Sequence, residues 1–190
     1  LNTYKKDEVV RLKVIVHVGP KGFQKVGHIC FAYDDIVYSY GNYDSDSFHL
    51  NKTIGDGIFF TVPLEKYIPN MISAENNSIF EYGIYTTSKQ NEMIEKEIEK
   101  IRQNGYRWYT KIEKEDGYDR FSEYEMDYPS RLHYRTGAKL YKVKSGKFHI
   151  YWALGDNCAS FTDLVLGTLG ADVLSIRGII SPGTYLDWLQ

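Results

Sequence analysis

The chain has 190 residues, enough for one domain that needs no metal or disulfide staple. Apolar residues at 43% and charged residues at 25% argue against disorder. A formal net charge of −2, from 23 basic and 25 acidic side chains, offers no basic field for nucleic acid and no polybasic lipid anchor.

In chain order, apolar Leu12, Val14, Val16 and Val18 alternate with Arg11, Lys13, Ile15 and His17, which predicts a half-buried strand ended by Gly19-Pro20-Lys21-Gly22. A second strand is expected over 25–33 and a third over 36–40, joined at Asp34-Asp35 by a two-residue hairpin loop. Residues 42–57, rich in Asp, Ser, Asn and Gly, read as a long loop. A short strand over 58–62 leads to Pro63, which opens a helical turn through Ile68. Another strand covers 79–86. Ser88 then caps a helix with Met93, Ile94, Ile98 and Ile101 on one face and Gly105 as its stop. Residues 111–135, acidic and tyrosine-rich, read as an excursion covering a cleft. A hairpin of 139–144 and 147–154 turns at Ser145-Gly146, and Gly155-Asp156-Asn157 enters a second apolar helix that Gly170 closes. The pattern predicts an α+β fold with a largely antiparallel sheet in a single domain, 1–190.

Seventeen Tyr, nine Phe and three Trp bring aromatics to 15%, which suits strands and an aromatic-lined cleft, although Tyr also serves as ordinary strand filler. Cys30 and Cys158 lack CxxC spacing, so neither a zinc ribbon nor a disulfide framework is indicated. No pair of His or Cys has ligand spacing and the acidic run lacks an EF-hand register, so no metal and no cofactor is expected. No run approaches the roughly 20 apolar residues of a membrane helix. The chain opens without an initiator Met or signal peptide and reads as a domain of something longer.

The chemistry concentrates at Gly155-Asp156-Asn157-Cys158-Ala159-Ser160-Phe161. With Asp156 or Asn157 as N-cap, Cys158 falls in the first turn of a helix, where free N–H groups and the macrodipole favour a thiolate. Backbone N–H groups near Asn157 and Cys158 suit an oxyanion. A nucleophilic thiol needs a base, and His28, opening a strand after Gly27, is the best placed of five histidines. His17 and His149 are its rivals, while His49 falls in the long loop and His133 in the excursion. The hairpin register puts Ser39 and Gly41 across from Cys30 and His28 on one sheet face, which makes Ser39 the candidate orienter of the imidazole, with Tyr40, Asn42 and Asp44 as alternatives. A cysteine at a helix start also serves as a small buried hydrophobe, and a strand histidine as a packing residue.

Gly27-His28-Ile29-Cys30-Phe31-Ala32-Tyr33, Ile36-Val37-Tyr38-Ser39-Tyr40-Gly41 and Asp156-Asn157-Cys158-Ala159-Ser160-Phe161 resemble the circularly permuted NlpC-type papain-like hydrolases, including their lecithin–retinol acyltransferase branch. The residues from Ile179 to Leu189 are similar to the ends of such domains in bacterial secreted toxins. The likeness covers 25–44 and 155–190. It implies a papain-like fold with Cys158 as nucleophile and His28 as base. In the acyltransferase branch a second His follows the first by about twelve residues; that place is Tyr40 here, so a dyad or another third member is implied. Cys30 is then a packing residue or a partner for Cys158 on oxidation.

By the same resemblance the chain is a thiol hydrolase cleaving amide bonds of peptidoglycan peptides. It would be secreted, or delivered into a target cell or periplasm, as part of a larger protein, with an immunity protein as partner. Two alternatives stand beside it: a lipid acyl-ester hydrolase or acyltransferase of the same superfamily, and a non-catalytic module binding glycan or protein.

Overall fold

Strand β1 (Leu12–Val18) is the first element of a seven-stranded antiparallel sheet. The computed structural model describes residues 9–18, 27–118, 122–123 and 125–169. The turn expected at 19–22, the first residues of the expected second strand, the chain start, Gly170 and the 179–189 segment lie outside the described residues. β1 pairs with β2 (His28–Tyr33), which turns through Asp34 and Asp35 into β3 (Ile36–Gly41). Both turn residues have positive φ, at 48° and 59°, the conformation that a two-residue loop needs to follow strand twist. Aspartate tolerates it here because Arg11 grips Asp34 at 2.6 Å and Lys13 reaches Asp35 at 3.0 Å.

β4 (Ile54–Asp56) interrupts the expected loop, and Ser45–Ser47 forms a 3-10 turn within it. β5 (Ile58–Pro63) runs into α1 (Leu64–Pro69) and a π-helical turn at Asn70–Ala74. β6 (Ser78–Ile84) precedes α2 (Ser88–Gln103), whose N-cap is Thr87 rather than Ser88, in a capping box with Gln90. Met93 is 41% exposed, so the apolar face of α2 is Ile94, Ile98 and Ile101 alone. Gly105 does follow the helix, but it begins a further strand, β7 (Gly105–Trp108). A Cβ there would stand 2.7 Å from the Phe59 ring, which is why glycine occupies the position.

The 111–135 stretch, expected as an excursion, contains helical structure and brings Tyr128 to a cavity beside His28. It holds α3 (Lys111–Lys114) and begins α4 (Tyr128–Thr136), which buries Leu132 and Ser130. Asp127 accepts the Ser130 N–H at the start of α4, and Gly137, at φ 71°, ends it. β8 (Lys139–Val143) pairs with β5 and β7, while β9 (Ile150–Trp152) pairs with β4, so the expected hairpin of these two strands does not form. α5 (Cys158–Leu166) closes the described fold, with a 3-10 turn at Gly167–Leu169.

Sheet order is β6-β1-β2-β3-β5-β8-β7, every pair antiparallel. One face carries Val14, Val16, Ile29, Phe31, Tyr38 and Tyr40 beneath α2 and α5. The other carries Ile15, Cys30, Ala32, Val37 and Phe60 beneath α1 and α4. The expected mixed fold with a mostly antiparallel sheet is present, in three layers. β1 is buried on both faces, not one, because Ile15 at 0% and His17 at 2% exposure lie under the second helical layer.

Candidate functional site

Asn157 is the N-cap of α5. Its side chain accepts the N–H groups of Ala159 at 3.0 Å and Ser160 at 3.2 Å, and its own N–H donates to Ser160 Oγ at 2.9 Å. That reciprocal box fixes Cys158 as the first helical residue, as the spacing predicts, with Asn157 rather than Asp156 capping. It also occupies the Asn157 N–H, one of the two backbone donors expected to face an oxyanion.

Cys158 is 6% exposed as a residue, and burial pushes its thiol up to about 11 against the backbone N–H groups of Ile29, Ala159 and Cys158 itself. The helix terminus therefore does not yield a resting thiolate. Desolvation outweighs the donors because Cys158 belongs to the buried apolar layer that also holds Phe31, Phe161 and Tyr40.

The Ile29 contact locates the sulfur. In a two-residue hairpin the closing pair, Tyr33 and Ile36, exchanges both hydrogen bonds, so the N–H groups of Tyr33, Phe31 and Ile29 all point toward β3. The β2–β3 ladder stops at Phe31–Tyr38, and the Ile29 N–H that it no longer uses goes to Cys158. The thiol therefore meets the sheet at Ile29, the residue after His28 along β2.

His28 projects to the other face. Its Nε2 lies 2.7 Å from Ser39 Oγ, which lies 3.3 Å from the Tyr43 hydroxyl. Ser39 is fully buried. Burial pulls the imidazole down to about 4, so it is neutral at pH 7. Gly41 has a role here too: a Cβ on it would stand 2.9 Å from the Tyr43 ring, so its absence lets Tyr43 fold back over β3 to reach Ser39. Among the described residues no hydrogen bond joins His28 to Cys158, and His28 Nδ1 has no hydrogen-bond partner.

The structure separates the other candidates. Tyr40 points to the α5 face, stacks on Phe161 at 4.9 Å and donates to Phe148 O at 3.0 Å, because it alternates with Ser39 along the strand. Asp44 caps the Ser45–Ser47 turn and binds Lys142 at 2.7 Å, and Asn42 bonds Lys52 O at 2.8 Å. Neither stands beside His28 in any hydrogen bond. His49 forms a β-bridge with Ile54; the Nδ1 atoms of His133 and His149 each lie 2.8 Å from a carbonyl, of Ala138 and Val143 respectively. Both cysteines are free thiols, and Cys30 faces away from the Cys158 layer toward Tyr67 and His17, each at 3.9 Å.

Beside His28 lies a cavity of about 270 Å³, lined by His17, Gly27, Tyr43, Tyr128, Met71, Glu75 and Asn77 as well as His28. Cys158 is not among its lining residues. His17 pairs directly with His28 across β1 and β2, and their rings stand edge to face at 5.5 Å. Tyr43, Tyr128 and Met71 carried no sequence signal as site residues, since they converge from the loop after β3, from α4 and from the π turn only through the fold. Glu75 is compensated by Arg131 at 2.8 Å and Arg135 at 3.2 Å. Family models, curated proteins and solved structures give no match to this chain. The site is therefore read from its own geometry. Among the described residues no cluster of three metal-ligating side chains exists, and no helix is long and apolar enough to cross a membrane.

Proposed function

We propose that the chain is a thiol hydrolase of permuted papain-like architecture, with Cys158 as nucleophile, His28 as general base and Ser39 as the residue that orients the imidazole. The observation that carries this reading is the pair of contacts at the β2–β3 opening: Cys158 accepts the Ile29 N–H, while the adjacent His28 is held by Ser39 at 2.7 Å. With Nε2–H donating to Ser39, Nδ1 is the nitrogen left to take a proton. The pair rests as neutral thiol and neutral imidazole, so proton transfer to Nδ1 accompanies formation of the S–C bond. The C–N bond of the tetrahedral adduct then breaks, and His28 returns the proton to the leaving amine. Water, deprotonated by His28, hydrolyses the thioester and regenerates the thiol. The Cys158 N–H, released from the sulfur as the S–C bond forms, is the proposed oxyanion donor.

Amide bonds of peptidoglycan peptides are the proposed substrate, in a secreted or delivered effector that an immunity protein would block. Purified muropeptides and phospholipid vesicles, incubated separately with the wild type, Cys158→Ala and His28→Ala, test it. Product from muropeptides with the wild type alone is the expected result; full activity in either variant removes the dyad, and product from vesicles alone moves the substrate to acyl esters. A non-catalytic binding module is the second reading, favoured by the absence of Cys158 from the aromatic cavity lining. It requires that Cys158→Ala leave every activity of the protein unchanged.

A further inference from the structure

Three observations single out His17 on the wall of the cavity. It is 2% exposed, it lines the space beside His28, and its Nδ1 is buried without a hydrogen-bond partner. A buried polar nitrogen left unpaired costs about 1–3 kcal/mol, so such a group is uncommon unless something else satisfies it.

The surrounding donors fix what that nitrogen carries. Cys30 S–H donates to the Tyr67 hydroxyl at 3.9 Å, and the Tyr67 hydroxyl lies 3.3 Å from His17 Nε2. A phenol is a better donor than a thiol, and an imidazole nitrogen a better acceptor than sulfur, so the Tyr67 proton points at Nε2. His17 then holds its proton on Nδ1. The unpaired atom is a donor.

We propose that the His17 cavity is the subsite for one peptide unit of the substrate, and that His17 Nδ1–H donates to a carbonyl oxygen of that unit. This rests on the hydrolase reading for the role of the bound unit, while binding itself needs no chemistry at Cys158. The lining favours a short neutral amide. At about 270 Å³ the space lies just under the range of sites for drug-sized ligands. Glu75 is already neutralised by Arg131 and Arg135, so the wall carries no free charge that demands a charged ligand. Tyr43 and Tyr128, stacked at 5.8 Å, form an aromatic side against which a peptide plane can lie. His17 is a positioning and specificity residue in this scheme, not a catalytic one.

The test uses the full chain carrying Cys158→Ala, with ¹⁵N-labelled histidine, titrated with N-acetyl-alanine methylamide or with dihexanoyl phosphatidylcholine. Long-range ¹H–¹⁵N spectra should show His17 protonated at Nδ1, and that resonance should shift and saturate with the diamide but not with the lipid. His17→Phe should weaken diamide binding about tenfold and His17→Gln, which keeps a donor, by much less. A proton on Nε2, or a His17 signal unmoved by the diamide, overturns the proposal. Response to the lipid alone overturns the peptide assignment. Loss of muropeptide turnover by the wild type, with diamide binding intact, would overturn the hydrolase reading and leave the subsite standing.

Discussion

Alkylation of Cys158 tests the balance between burial and the helix terminus. Its rise from the ordinary 9.0 to about 11 cuts the thiolate fraction at pH 7 about a hundredfold. Iodoacetamide should therefore modify Cys158 at least about a hundredfold more slowly than a free thiol at pH 7, and the 6% exposure slows it further. The rate should climb about tenfold per pH unit to pH 10 without levelling, whereas a free thiol levels near its own pKa. Peptide mass mapping after timed quenching separates Cys158 from Cys30, which is fully buried and raised further still. His28→Ala should leave the profile unchanged, because a neutral imidazole lends the thiolate no charge. Labelling below pH 7 as fast as a free thiol, lost in His28→Ala, would refute the neutral pair and establish a thiolate–imidazolium couple.

Acid should destabilise the fold through the same neighbourhood. His17 falls from 6.5 to about 3 and His28 to about 4, mainly through burial. The stability held by keeping them neutral is fully present above pH 6.5 and drains as pH falls, to about 4 for His28 and about 3 for His17, since the unfolded chain binds those protons first. Urea unfolding at pH 7, 6 and 5 should show a loss approaching two protons, about 2.7 kcal/mol per pH unit, and His17→Phe should reduce it toward one. A flat profile refutes the assignment. Asn157→Ala removes the side-chain half of the α5 capping box and should cost about 1–2 kcal/mol, read as a lower urea midpoint with an unchanged slope. No shift would mean that packing of Phe161 and Val165 alone places the helix.

Much of the sheet and the helix start was legible. Alternation marks β1, Asp34-Asp35 marks the turn between β2 and β3, and Asp156-Asn157 marks the helix start that places Cys158. The same register predicts Ser39 on the His28 face, where the 2.7 Å contact lies. The second helical layer was less legible. Asp127, Pro129 and Gly137 are ordinary start and stop signals for α4, but acidic and tyrosine residues around them mask a nine-residue helix whose core contribution is chiefly Leu132. β7 has four residues and an exposed Tyr106, too short for alternation to show. The choice of β5 and β7 rather than β9 as partners of β8 is non-local, and no residue near Ser145-Gly146 encodes it. The thiol's direction of shift was misread for a related reason: a helix terminus is written in local sequence, whereas desolvation comes from Phe31 and Tyr40, more than a hundred positions away.

The site depends on an interrupted ladder more than on any single side chain. If β2 and β3 stayed paired to their ends, Ile29 N–H would bond across to β3 and the Cys158 sulfur would have no donor at the sheet. Gly41, opposite the start of β2, presents no side chain to fill the opening and gives Tyr43 the room to bend back onto Ser39. Cys158 lies in the α5 layer, next to the Ile29 N–H, and His28 projects into the α1 layer toward Ser39. Strand alternation ordinarily keeps adjacent residues on opposite faces and out of each other's reach. The proposed dyad requires that, at this strand end, the Cys158 thiol from one layer and the His28 imidazole from the other reach one substrate carbonyl.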